Sequence, residues 1–177
     1  MGFFSGIPTG EDRKSGGSTS KRLVGDWKTG AYAFGDYLLE VDSIFTKETR
    51  NEQPLILIEF TVKEVLVNID GDGQRIPSTQ SEGSVSHKVG ESVSVGYITE
   101  RNHKGNLTEK GTKAMNRALN ALEAIIGLPP GTIDGETAEG VLEDPEAFTG
   151  GLVRAKVKGR ETKNGTLWVQ EYFDIAK

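Results

Sequence analysis

A chain of 177 residues with 35% apolar content, 23 glycines and no cysteine has room for one domain with a modest core and long loops. It excludes a disulfide framework and a thiolate metal site. A net charge of −5 argues against coating duplex DNA by bulk electrostatics. No apolar run approaches the ~20 residues that span a bilayer, and MGFFSGIPTG lacks the charged start and apolar core of a signal peptide. A cytoplasmic protein with no membrane partner is expected.

Residues 1–30, rich in Gly, Ser, Thr, Lys and Arg, read as a flexible N-terminal arm, with Trp27 and Tyr32 at the entry to a domain over 31–177. The first strand is expected over 35–47, where Tyr37, Leu39, Val41, Ser43 and Phe45 alternate with Leu38, Glu40, Asp42 and Ile44. The second, over 55–67, turns Ile56, Ile58, Phe60 and Val62 to one side. Both exceed the usual ~5–6 residues, which suits a strongly curved sheet. Residues 68–90 form a loop too long for a hairpin turn. The third strand, over 91–99, carries Val93, Val95 and Tyr97 on one side.

The one convincing helix spans 106–127. Met115, Ala118, Leu119, Leu122, Ile125 and Ile126 recur at three- and four-residue intervals and share one stripe, leaving Lys110, Lys113, Asn116, Arg117 and Asn120 opposite. Thr108 or Asn106 can cap its start, and Gly127 before Pro129 and Pro130 ends it. An acidic connection over 128–149 follows, with six carboxylates and no base between 134 and 146. The last two strands, over 152–158 and 166–175, form a hairpin around Asn164-Gly165.

The order β-β-β-α-β-β, mainly β with one amphipathic helix between strands three and four, predicts a five-stranded OB-like barrel. A five-stranded sandwich or an SH3-like barrel is the alternative. The first strand's Gly35-Asp36-Tyr37-Leu38-Leu39-Glu40-Val41, the helix end Leu119-Asn120-Ala121-Leu122-Glu123-Ala124-Ile125-Ile126-Gly127 and the stretch Gly150-Gly151-Leu152-Val153-Arg154-Ala155-Lys156-Val157 resemble the small OB-fold single-stranded DNA-binding proteins of bacteriophages. The resemblance covers roughly 35–175. It implies a non-enzymatic protein of phage DNA replication or recombination, working in the host cytoplasm. Many such proteins end in an acidic tail that recruits partners, whereas this chain ends Tyr172-Phe173-Asp174-Ile175-Ala176-Lys177. The carboxylates of 134–146 could recruit replication or recombination proteins instead.

On the residues themselves, Arg154, Lys156 and Lys158 are expected on the same outer face as Trp168 and Tyr172. Cations that follow phosphates beside rings on which bases stack are what single-stranded DNA or RNA needs. The competing explanation is a solvated strand face whose lysines discourage edge pairing. Lys163, Tyr37, Tyr97 and Lys104 complete the expected binding set, Phe45 could extend the rings, and Lys104, Lys110, Lys113 and Arg117 could line a groove, the alternative for these four being a solvated helix face. Catalytic patterns are poor. His87 and His103 read as surface loop residues with no nucleophile at recognisable spacing. Asp70-Gly71-Asp72-Gly73 lacks the later ligands of a calcium loop. No enzyme activity, metal or cofactor is expected. Homo-oligomers are left open, and an OB-like protein-interaction or assembly module, such as a phage accessory or host-inhibitory protein, is the second possibility.

Overall fold

The computed structural model describes residues 20–26, 31–67, 86–134, 137, 140, 142–165 and 167–176. Among the described residues three two-residue strands come first: β1 (Lys21–Arg22), β2 (Gly25–Asp26) and β3 (Ala31–Tyr32). The long strands β4 (Gly35–Glu48) and β5 (Pro54–Val67) follow, then β6 (Ser92–Ile98), α1 (Glu109–Ile126), a 3₁₀ turn (Pro145–Phe148), β7 (Leu152–Glu161) and β8 (Leu167–Ile175). All five expected long strands and the helix are present in the expected chain order.

The protein is mainly β, built on a curled, open half-barrel. Among the described residues its sheet has six strands rather than five, in the order β1-β6-β5-β4-β7-β8, and β2 pairs with β3 separately. The sixth strand comes from the expected arm. Lys21 and Arg22 pair in parallel with Val93 and Ser94, and Leu23 is fully buried. An arm reaching to residue 30 is therefore too long, because Leu23 contributes to the core. Residues 1–19, Trp27 and the loop section 68–85 lie outside the described residues.

Curling follows from the contacts. Phe60 of β5 stacks on Phe173 of β8 with ring centroids 5.7 Å apart, although two strands separate them in the sheet. The bend has a local cause in β4, whose pairing with β5 shifts register three times, the last between Val41 and Ser43. Such bulges add a residue to one strand and increase its twist. This last shift also reverses the inward parity. Tyr37, Leu39 and Val41 are buried as expected, but beyond it Ile44 is buried while Ser43 and Phe45 are half-exposed. The expected alternation fails at that point because an extra residue swaps the faces.

Helix α1 starts where Thr108 Oγ1 accepts the Gly111 N–H at 3.0 Å, and ends on Gly127 at φ 79°. The alternative cap, Asn106, lies too early in the chain. Gly111 is obligatory, since a Cβ there would stand 2.0 Å from the Glu100 carbonyl oxygen. The helix packs on β8, β6 and β7. Ala118, Leu119, Leu122 and Ile125 are buried as expected, but Ile126 is exposed. Glu123 is buried as well, and its carboxylate accepts the N–H groups of Gly131 (3.2 Å) and Ile133 (2.8 Å), fixing the chain's exit from the helix. No helix among the described residues is long and apolar enough to cross a membrane.

Candidate nucleic-acid interface

The outer face of the β7–β8 hairpin is set by register. Val153, Ala155 and Val157 are buried, which turns Arg154, Lys156 and Lys158 outward. Lys156 stands opposite Tyr172, and Arg160 opposite Trp168. All five residues expected on one outer face share it. Trp168 and Tyr172 are 53% and 39% exposed, so both rings present aromatic surface to solvent on this face. The Trp168 indole N–H donates to Gln170 Oε1 at 3.2 Å, and the Lys158 ammonium stands 4.8 Å from the Tyr172 ring centroid. That cation–π contact holds charge and ring together. At the tip, Gly165 N–H donates to the Thr162 carbonyl at 3.0 Å and Gly165 alone takes positive φ, leaving Lys163 exposed in the turn. Asn164 beside it does not take positive φ.

Arg154 shares this face but is engaged. Its Nε donates to both carboxylate oxygens of Asp36, at 2.9 and 3.1 Å, and its Nη2 adds a third contact. Asp36 is 2% exposed. The carboxylate raises the Arg154 pKa further above its ordinary value, by hydrogen bonding and by charge. As a free phosphate ligand Arg154 is thus a poorer candidate than the two lysines.

Three expected members lie elsewhere. Tyr37 is fully buried, with its hydroxyl donating to the Ala33 carbonyl at 2.9 Å, and burial raises its pKa. Tyr97 is 2% exposed and its hydroxyl donates to Glu171 Oε1 at 3.1 Å, with burial driving its pKa well up. Both follow the inward parity of their strands, so neither offers a stacking surface. Lys104 is exposed in the turn before α1, its N–H donating to Asn102 Oδ1 at 2.9 Å.

A groove of about 640 Å³ follows β8 along residues 170–175, and Lys104 does not reach it. Lys156, Lys158 and Tyr172 line it from the outer face, and Arg117 and Asn120 line it from α1. Within it Glu171, buried on the inner side of β8, accepts from the Tyr97 hydroxyl and pairs with Arg117 Nη2. The Arg117 guanidinium lies 5.4 Å from the Tyr97 ring centroid. This trio bridges the open seam between β6 and β8. Sequence reasoning misses Glu171, although a signal exists, a carboxylate at the inward parity of Val169 and Phe173.

Two more groups depart from expectation. His87 is buried rather than on the surface, its Nε2–H donating to the Leu23 carbonyl at 2.7 Å with Nδ1 3.6 Å from Glu91. Phe45 is half-exposed on the outer face of β4, with the Lys47 ammonium 5.9 Å from its ring centroid. Among the described residues no group of three or more His, Asp or Glu could hold a metal ion. The sequence matches no family model and no curated protein.

Proposed function

We propose that this chain is a non-enzymatic OB-fold protein that binds single-stranded DNA in phage replication or recombination. One observation carries it: Trp168 and Tyr172 lie exposed on the face that holds Lys156 and Lys158, with Lys158 seated over the Tyr172 ring. Bases stack on such rings with little sequence preference while the ammonium groups neutralise phosphates. The OB assignment is supported by connectivity. With β1 set aside, the order β6-β5-β4-β7-β8 is that of a five-stranded barrel left open at one seam. The helix between the third and fourth long strands packs on both edges of that seam.

The test is tryptophan fluorescence with an oligothymidine of about thirty bases at low and moderate salt. Quenching that weakens as salt rises is expected, and its loss in Trp168→Ala assigns it to the hairpin. A folded protein with no response refutes single-strand binding. The exposed carboxylates of Glu143, Asp144 and Glu146 favour a second activity, docking of a basic partner protein. Charge reversal there abolishes partner capture and spares DNA binding.

A further inference from the structure

A buried ion pair is a weak source of stability, because well-packed apolar side chains of similar volume often replace one at no loss. The trio of Arg117, Glu171 and Tyr97 nevertheless occupies the seam between β6 and β8, where apolar packing would serve the core better. Three observations point to a ligand there. The trio opens into the groove that Lys156, Lys158 and Tyr172 line from the other side. The Arg117 side chain is 36% exposed while that of Glu171 is only 8% exposed, so the cation rather than the anion faces the opening. Arginine also carries five N–H donors in a planar fork, and its contact with Glu171 runs through Nη2.

We infer that the bound strand crosses β8 from the outer hairpin face into the seam groove, where a phosphodiester takes over from Glu171 as the partner of Arg117. The inference rests on the single-strand reading and adds a path and a direction to it. Glu171 acts as an internal stand-in for the phosphate. Without DNA it neutralises Arg117 and accepts the Tyr97 hydroxyl; with DNA, the donors of Arg117 turn toward the groove. Asn120, exposed on the next turn of the same helix and lining the same groove, lies along this path. Cations on both sides of β8 suit a polyanion that wraps the strand edge rather than lying flat on one face.

The experiment measures oligothymidine affinity across a salt series for the wild type, Arg117→Gln, Glu171→Gln and Asn120→Lys. Each phosphate contact contributes about 0.7 to the slope of log affinity against log salt for a single strand. Arg117→Gln is expected to weaken binding and flatten the slope by about 0.7, while Glu171→Gln tightens binding because its phosphate competitor is gone. Asn120→Lys, at an exposed position that cannot disturb the core, steepens the slope by a similar amount.

Unchanged slopes and affinities in Arg117→Gln and Asn120→Lys, with Trp168→Ala still weakening binding, overturn the groove path and leave the hairpin site standing. If Glu171→Gln does not fold, the other two variants still decide. Absence of wild-type binding removes both the path and the hairpin site.

Discussion

On the outer face of the last hairpin Arg154 reaches Asp36, and across β8 Arg117 of the helix reaches Glu171. Both are arginines beside almost fully buried carboxylates, and their formal charges are the same. Their geometry separates them. Arg154 grips Asp36 with two nitrogens and three contacts, so removing Arg154 would strand a buried carboxylate without these donors. Arg117 contacts one oxygen of Glu171 and shares that oxygen with Tyr97. The first pair is closed to a ligand and the second can be exchanged. A cationic surface is thus not a sum of its charges, since only the cations without a bidentate internal partner are free to meet phosphates.

The difference predicts opposite phenotypes. Arg154→Ala should lower thermal stability more than any other single change on the hairpin face, because it leaves a carboxylate buried without its cation. Adding Asp36→Asn should recover most of that loss, and a double-mutant cycle by thermal denaturation measures the coupling. Equal losses with and without Asp36→Asn would show that Arg154 acts by packing instead. Next in size, Trp168→Ala should cost about 1–3 kcal/mol of oligothymidine affinity with the melting temperature unchanged. A lower melting temperature would mean the ring is part of the core.

Much of this arrangement is legible in the sequence. Ile56, Ile58, Phe60 and Val62 are fully buried, because a period of two over an uninterrupted strand leaves one possible face. Thr108 and Gly127 bound the helix for equally local reasons. What escapes depends on contacts distant in sequence. Nothing near Asp36 indicates that a residue 118 positions away neutralises it. The bulge after Val41 is set by pairing with β5, so Ile44 and Phe45 exchange faces without a local sign. His87 is buried because the Leu23 carbonyl needs a donor, a partnership across 64 residues. The expected binding set mixes outward and inward aromatics for one reason: ring type suggests stacking, but strand parity decides exposure.

His87 extends the comparison to the far edge of the sheet, where it ties Leu23 and β1 to the rest. Lys21, Glu91 and Tyr37 surround it, and burial lowers its pKa below the ordinary histidine value. The unfolded chain then binds the proton more readily than the folded one, so stability is fully present above about pH 6.5 and declines as pH falls below it. Chemical denaturation on either side of that value should show this loss. His87→Gln, which retains an N–H donor for Leu23, should flatten it. An equally steep loss in the variant would assign the effect to carboxylates.

The smallest predicted difference lies between two lysines of the hairpin. Lys163 is exposed in the turn, whereas Lys158 is held over the Tyr172 ring. Replacing either by glutamine removes one charge, and each should flatten the salt slope by about 0.7 if both contact phosphate. Their affinities should still differ. Without Lys158 the Tyr172 ring loses the cation that orders it, so binding carries the entropic cost of fixing that ring. Lys158→Gln should therefore weaken binding more than Lys163→Gln at every salt concentration, and the gap should persist in high salt, where the phosphate contribution fades. If the two variants converge at high salt, the Lys158 contact contributes only its charge, and the ring and the cation of this face work independently.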